Sequence, residues 1–320
     1  MAFHVGFFGT PQFAAVSLHR LLESGVTIAG VITAPDRPRG RSLQVQPSPV
    51  GVLANQAGIP VLAHADVNTE EVLQTLISWR LNVIVVVAFV QILKAPILNL
   101  PPLGCINVHP SLLPRYRGAA PMQRALMDGQ TKTGVSLCKM VRKLDAGDIL
   151  LCQPHAIDPE DTLGTLYDRL ALLGADLLVE ALKELASGKA RPVPQEESAA
   201  TYAPKLKKEE EILRWDRSAG EIRNLVRALN PAPCASATLL RSGKKEEVKI
   251  WSVREETQQK EESQDEPAGT VLEVSPQAMR VAAGRGSLWI QEIQSASRSR
   301  MTAEQWLQGH PVKVGDRFEN

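Results

Sequence analysis

The segment Val83-Ile84-Val85-Val86-Val87 is apolar at every position. A strand with two apolar faces is covered on both sides, which is typical of the central strand of a parallel sheet. The apolar run that contains it ends at Val90 and is far too short to cross a bilayer. We therefore expect an α/β protein built around this strand, with no membrane partner.

Strand and helix patterns alternate on the amino-terminal side of this segment. Apolar stretches predict strands over 5–8, 26–33 and 61–62, and apolar residues at helical spacing predict helices over 11–25, 50–57 and 70–79. Thr10 is the expected cap of the first helix, with Pro11 at its first position. The alternation predicts a doubly wound α/β domain of Rossmann type. Neither GxGxxG nor GxxxxGK(S/T) occurs, so a dinucleotide site or a P-loop is not indicated.

Two polar side chains lie at the end of the next predicted strand, in Asn107-Val108-His109-Pro110-Ser111-Leu112-Leu113-Pro114. Asn107 and His109 are two residues apart and therefore share one face of a strand, and Pro110 ends that strand. Open α/β sheets bind ligands at the carboxyl ends of their strands. The segment is therefore either part of an active site or a loop that these two side chains tie down.

A carboxylate farther along the chain favours the active site. Asp145, in Leu144-Asp145-Ala146-Gly147-Asp148, lies in a turn between two apolar runs that predict strands. An amide, an imidazole and a carboxylate can then meet at one end of the sheet. This set suits attack of a neutral amine on a carbonyl, because the imidazolium and the amide stabilise the oxyanion while the carboxylate helps to move the proton.

Composition restricts the class of protein. With 320 residues and 44% hydrophobic content, the chain is long enough for two domains with cores, and its formal charge of +1 means that any basic surface is local. The four cysteines show no CxxC spacing and residues 1–9 lack a charged leader. We therefore expect reduced thiols in a cytoplasmic protein, with neither a catalytic cysteine nor a metal site. We separately expect a monomer.

The motifs around these residues resemble those of the folate-dependent formyltransferases. They are Asn-x-His at 107–109, Ser-Leu-Leu-Pro-x-Tyr-Arg-Gly-Ala-Ala-Pro at 111–121 and Leu-Asp-x-Gly-Asp at 144–148. Further matches follow in order at 8–11, 35–38, 47–50, 202–207 and 212–215, most closely to the members that act on methionyl initiator tRNA. The resemblance implies transfer of the formyl group of 10-formyltetrahydrofolate to the amino group of that tRNA, without a metal.

The resemblance also implies roles for single residues. Asn107 would bind the formyl oxygen, His109 would stabilise its charge, and Asp145 would orient His109 and assist proton transfer. The residues implied to border the folate are Ser111, Leu112, Leu113 and Pro114, with Ala88, Phe89, Val90 and Leu144 near the pterin. Phe89-Val90 stands where Tyr-Gly is common, and Arg142-Lys143 stands where a small neutral residue is usual, so both can alter the folate pocket.

A second domain is expected after a helix predicted over 161–185. We expect a catalytic domain over 1–188, a linker over 189–204 that contains Pro192 and Pro194, and a tRNA-contacting domain over 205–320. Alternating stretches at 248–253, 270–274 and 288–293 predict a small β-barrel, and the resemblance implies one like the OB-fold. The polar run 255–266 is predicted to be an exposed loop.

Basic residues cluster after the second strand and again after the linker. The basic side chains concerned are Arg37, Arg39 and Arg41, and Lys205 and Lys207. Charge alone favours a solvated surface, since acidic residues at 209–211 lie nearby. The resemblance instead implies that the arginine loop approaches the tRNA acceptor end and that the second domain contacts the tRNA backbone. Residues 42–44 lack the lysines that are frequent there, so contact would rest on Arg41.

Two other functions are open at this stage. An amino-sugar nucleotide or a glycinamide ribotide requires the same three catalytic residues, and His109-Pro110-Ser111 is spelled as in the ribotide enzymes. A non-catalytic RNA-binding protein on the same scaffold is the alternative of another class. The match after residue 201 argues against the small substrates, and the intact set of Asn107, His109 and Asp145 argues against a non-catalytic protein.

Overall fold

The computed structural model describes residues 3–39, 44–241, 243–256 and 266–319. The chain forms two compact units: unit 1 comprises residues 1–121, 132–156 and 167–203, and unit 2 comprises 122–131, 157–166 and 204–320. Two short pieces that precede residue 203 thus belong to unit 2, which the sequence did not indicate. The functional division into catalytic and tRNA-contacting domains stays a prediction.

Strands and helices alternate over the first 186 residues, as predicted. The strands are β1 (His4–Gly9), β2 (Thr27–Thr33), β3 (Arg37–Arg39), β4 (Gln44–Gln46), β5 (Val61–Ala63), β6 (Val83–Val87), β7 (Cys105–His109), β8 (Lys132–Lys139) and β9 (Ile149–Ala156). The helices are α1 (Gln12–Glu23), α2 (Pro49–Gln56), α3 (Glu70–Ser78), α4 (Ala95–Leu98), α5 (Pro121–Met127) and α6 (Leu163–Ala186).

The main sheet of unit 1 has the strand order β5-β2-β1-β6-β7-β8-β9. The strands from β5 to β7 run parallel, whereas β8 and β9 are antiparallel to their neighbours. Every residue of β6 is buried, so the prediction of an apolar central strand is confirmed. The Rossmann-like fold class is confirmed with it.

The start of α1 differs from the prediction. Pro11, not Thr10, occupies the cap position, with extended backbone angles and no side-chain cap. The Thr10 hydroxyl instead accepts a hydrogen bond from the Ala34 N–H at 3.3 Å, which ties the end of β1 to the end of β2. At α2 a side chain does cap the helix, because the Ser48 hydroxyl accepts from the Gly51 N–H at 2.9 Å.

Unit 2 contains an antiparallel barrel. Its elements are α7 (Ala219–Leu229), β10 (Ala235–Arg241), β11 (Lys244–Glu255), β12 (Val271–Val274), β13 (Met279–Ala282), β14 (Ser287–Ser295), β15 (Met301–Thr302), α8 (Ala303–Gly309) and β16 (Arg317–Glu319). The strand order is β12-β13-β14-β11-β10-β16, with β15 beside β14. A bridge between Thr270 and Arg317, next to the Val271 N–H bond to the Asp316 carbonyl at 2.8 Å, joins the first strand to the last.

The barrel interior is apolar, and Trp215 and Phe318 pack there with ring centroids 4.9 Å apart. The predicted small β-barrel is therefore confirmed. Of the polar loop predicted over 255–266, residues 257–265 lie outside the described residues. Within the described ranges, no helix combines the length and the apolarity that a membrane crossing needs.

Candidate active site

Strand β7 presents Asn107 and His109 on one face of the sheet, as their spacing predicts. Ile106 and Val108, on the other face, are buried. The His109 side chain is only 5% exposed and that of Asp145 only 10%, so both polar groups lie largely out of water.

The Asp145 carboxylate joins the two side chains of β7. Its Oδ1 accepts a hydrogen bond from Asn107 Nδ2 at 3.2 Å, and its Oδ2 accepts from the Gly118 N–H at 2.8 Å. The same Oδ2 lies 3.7 Å from His109 Nδ1, which is longer than a hydrogen bond. Amide, imidazole and carboxylate therefore lie within reach of one small substrate group.

Asp145 reaches these partners by a route that the sequence did not indicate. Because β8 runs antiparallel to β7 and Lys139 pairs with Ile106, the loop after β8 starts away from His109 and crosses the face of β7. Asp145 has a left-handed φ of +50° in this crossing. A Cβ on Gly147 would lie 1.9 Å from the Lys139 carbonyl oxygen, so only glycine allows the loop to pass so close.

The loop after β7 holds the other side of His109. His109 Nε2 lies 2.9 Å from the Tyr116 carbonyl oxygen, and Tyr116 has a φ of +59°. Gly118, which binds Asp145, has a φ of +124°, and a Cβ there would lie 2.7 Å from the Ala203 carbonyl oxygen. A residue of the predicted linker, Ala203, thus packs against the loop that carries two hydrogen-bonding groups of the site.

Sequence reasoning missed a layer of polar side chains behind the site, formed by Arg117, Gln195 and Glu197. Arg117 is completely buried and donates to Gln195 and, at 3.0 Å, to Glu197. Lys143 pairs with Glu197 as well, and these two donors, Lys143 first, hold the pKa of Glu197 below its usual range. A signal existed in the motif, because an arginine beside glycine and alanine in a buried segment needs acceptors from elsewhere.

Some of the residues expected near the folate are buried, and others are exposed. Ser111 and Leu113 are buried. The Ser111 hydroxyl donates to the Arg115 carbonyl at 2.7 Å, so its hydrogen atom is already used within the protein. Phe89 packs on Phe8 with ring centroids 5.6 Å apart. By contrast, Val90 and Leu144 are 84% and 62% exposed.

The remaining predicted folate neighbours lie in the loops after β6 and β7. Ala88 is exposed with a φ of +45°, and Leu112 and Pro114 are half-buried.

Cys138 lies on β8 opposite Asn107, close to the site. Burial, and then the Asp145 carboxylate, raise the pKa of the Cys138 thiol to about 12, so it stays neutral at ordinary pH. Within the described part of the chain, no three His, Cys, Asp or Glu side chains are arranged to hold a metal ion. The absence of a metal from the reaction stays a prediction.

The predicted tRNA-binding residues lie in separate parts of the chain. Arg37 and Arg39 fall on β3, which pairs with β4 as a two-stranded ribbon. Arg41 lies outside the described residues. Lys205 and Lys207 are exposed in unit 2.

Comparisons with known proteins agree with this geometry. The family model described as "Formyl transferase" matches residues 3–182, and the one described as "Formyl transferase, C-terminal domain" matches 205–311. The methionyl-tRNA formyltransferase of Moorella thermoacetica is 46% identical over 310 residues, 97% of each chain. That of Syntrophus aciditrophicus is 44% identical, covering 97% of this chain and 96% of its own. The chain belongs to the formyl transferase family and, within it, to the methionyl-tRNA formyltransferases.

Solved structures show the same fold at low sequence identity. HypX from Aquifex aeolicus in complex with tetrahydrofolic acid has a TM-score of 0.64 at 17% identity, covering 99% of this chain and 50% of that one. The N-formyltransferase from Helicobacter canadensis in complex with folinic acid and dTDP-3-aminofucose also has a TM-score of 0.64, at 15% identity, covering 92% of this chain and 100% of that one.

Proposed function

We propose that this chain transfers the formyl group of 10-formyltetrahydrofolate to the α-amino group of methionine esterified to initiator tRNA. The observation that carries the proposal is the convergence of Asn107, His109 and Asp145, with the His109 and Asp145 side chains largely buried. The substrates are those of the methionyl-tRNA formyltransferases that match the chain over almost its whole length.

The reaction forms one C–N bond and breaks another. The neutral methionyl amine attacks the formyl carbon and gives a tetrahedral intermediate with an oxyanion. The bond between that carbon and folate N10 then breaks, and the proton lost by the amine ends on N10. Tetrahydrofolate and formyl-methionyl-tRNA leave, and the reaction drawn in this way needs neither a metal nor a covalent enzyme intermediate.

Each catalytic side chain has a role that its contacts support. Asn107 Nδ2 uses one N–H on Asp145 and keeps the other for the formyl oxygen. Both nitrogens of His109 already face oxygens, of Asp145 and of Tyr116, so the imidazolium stabilises the oxyanion chiefly through its charge. Asp145 holds both partners and accepts the amine proton on its way to N10.

The folate is proposed to bind against the loops that flank Asn107. The exposed apolar side chains of Val90 and Leu144 offer surface to a flat pterin, and Ala88 and Phe89 continue the first loop. Ser111, Leu112, Leu113 and Pro114 form the border on the other side through backbone and shape, since the Ser111 hydroxyl is already bonded.

The tRNA is proposed to contact basic residues of both units. Arg37, Arg39 and Arg41 would approach the acceptor end, and Lys205 and Lys207 the backbone, where neutralised phosphates give affinity that falls with salt. The action of the chain as a monomer stays a prediction.

The test is a formyl-transfer assay with purified protein, 10-formyltetrahydrofolate and methionyl initiator tRNA. We expect one formyl-methionyl ester for each tetrahydrofolate released. Free methionine, an amino-sugar nucleotide and glycinamide ribotide serve as competing acceptors. Preference for either small acceptor would move the substrate to the small-molecule branch, and no transfer to any acceptor would favour a non-catalytic RNA-binding protein.

A further inference from the structure

Gln195 uses the full hydrogen-bonding capacity of its side-chain amide within unit 1. Nε2 donates to the carbonyl oxygens of Asp145 and Gly147, both at 2.7 Å. Oε1 accepts from Arg117 Nη2 at 2.9 Å and from Arg117 Nε at 3.1 Å. Because both N–H donors and both lone pairs of the acceptor oxygen are satisfied, only one orientation of the amide fits this place.

The three partners of Gln195 belong to the two loops that build the site. Arg117 stands between Tyr116, whose carbonyl binds His109, and Gly118, whose N–H binds the Asp145 carboxylate. On the other side, Asp145 carries the carboxylate itself. Gln195 therefore ties the backbone of the catalytic carboxylate to the loop that fixes the positions of its side chain and of the imidazole.

The turn at Asp145 requires such an outside support. Its left-handed φ of +50° is a strained conformation for a residue with a Cβ, and such a conformation persists only where the surrounding structure holds it. Gln195 donates hydrogen bonds to the carbonyls on both sides of Ala146, and these bonds fix the path of the chain through the turn. Removing these two donors leaves the turn free to relax and to carry the carboxylate away from Asn107 and His109.

We propose that Gln195 is a positioning residue for the formyl transfer, acting through the backbone of Asp145, an inference that rests on the proposed function. Gln195 touches neither substrate in this scheme. Its loss should slow the chemical step and leave tRNA binding nearly unchanged, because the interaction that it supports is used in the transition state.

Two substitutions separate the two sides of the amide. Gln195→Glu keeps the shape and the acceptor for Arg117, but places a carboxylate oxygen against the carbonyls of Asp145 and Gly147. Gln195→Met keeps similar bulk and removes every hydrogen bond. Glu196→Gln is the matched control, since this exposed neighbour contacts Ser198 and not the site.

The measurements are the single-turnover rate per folded molecule, KM for both substrates, and the ring ¹⁵N chemical shifts of His109 in the free protein. A displacement of the order of 1 Å at a reacting group costs up to about 10²-fold in rate. For both Gln195 variants we expect a rate lower by roughly 10- to 100-fold, KM for tRNA within about twofold of the parent, and changed His109 shifts. The control should match the parent chain.

Several outcomes would overturn the positioning role. A normal rate in Gln195→Glu with a slow Gln195→Met would assign the effect to Arg117 alone, and a lower melting temperature with a normal rate would make Gln195 merely structural. If Gln195→Met fails to fold, the isosteric Gln195→Glu decides alone. If the parent chain transfers no formyl group, the proposed function fails, and the His109 shifts then decide: changed shifts in Gln195→Glu support positioning and unchanged shifts refute it.

Discussion

Replacing Asp145 by asparagine tests the site with a change of one atom. The carboxylate accepts from Asn107 through Oδ1 and from the Gly118 N–H through Oδ2. An asparagine has a single oxygen, so its amide nitrogen must face one of these two donors. Asn107 can relieve the conflict only by turning its own amide over, and that turn moves the N–H proposed for the formyl oxygen.

The expected loss follows from what this substitution removes. Loss of one oxyanion donor costs about 10²–10³-fold in kcat, and loss of an acid–base group costs about 10²–10⁴-fold. Because groups that act together are not additive, we expect a fall of roughly 10³-fold rather than the product. The mismatched buried donors cost about 1–3 kcal/mol of folding free energy, which leaves the chain folded.

The assay is single-turnover formyl transfer with a melting curve on the same samples. Asp176→Asn is the matched control, because it makes the same chemical change at an exposed carboxylate that pairs with Arg20. We expect the control to turn over normally. A rate for Asp145→Asn within about threefold of the parent would refute the roles given to Asp145 and Asn107, since either alone predicts a larger loss.

Three further substitutions test other parts of the molecule. Gly118→Ala places a Cβ 2.7 Å from the Ala203 carbonyl oxygen at a φ of +124°, so the free energy of unfolding should fall by about 1–3 kcal/mol. An unchanged denaturation midpoint would contradict this. Glu210→Gln breaks a two-bond pair with Arg124 that lowers the pKa of Glu210 to about 2, from a usual 4.5. The free energy of unfolding of Glu210→Gln should be lower than that of the parent by about 1 kcal/mol, a value reduced for the partial exposure of the pair. This difference should be present above pH 4.5 and disappear as the pH falls towards 2, because Glu210 is then protonated in the parent; a pH-independent difference would refute the assignment. Arg41→Ala should raise KM for tRNA far more than KM for folate, by a factor that shrinks as salt rises, whereas equal effects would place Arg41 at the folate.

The fold could be predicted from the sequence where the spacing of apolar residues along the chain reflects which side chains are buried. The apolar run of β6 and the alternating stretches of unit 2 show such spacing, and the structure confirms a Rossmann-like sheet and a β-barrel. Residues 122–131 and 157–166 belong to unit 2 through tertiary packing, for which no local pattern exists. Thr10 fits a local rule for helix caps, but a contact with Ala34 takes its hydroxyl instead.

The candidate site also has one feature that follows from the local sequence and others that depend on the tertiary structure. A spacing of two residues on a strand is a local property, so the shared face of Asn107 and His109 follows from the sequence. The approach of Asp145 does not, because it depends on β8 being antiparallel to β7 and on the loop that then crosses the sheet face. The Tyr116 carbonyl and the Gly118 N–H are backbone groups, and backbone groups leave no signature in a sequence.

The segment interpreted as a linker has a different place in the structure. Residues 189–203 belong to unit 1, where Val193 pairs with Ile149 and Thr201 accepts the Tyr116 N–H at 2.9 Å. Left-handed backbone at Tyr116 and Asp145 is costly in isolation, so the contacts that hold it must come from elsewhere in the fold, and this segment supplies them. A chain cut after residue 188 would keep every proposed catalytic side chain and lose Gln195 and Thr201. We therefore expect that a piece which retains the geometry of Asn107, His109 and Asp145 must include Gln195, 50 positions beyond Asp145, and Thr201.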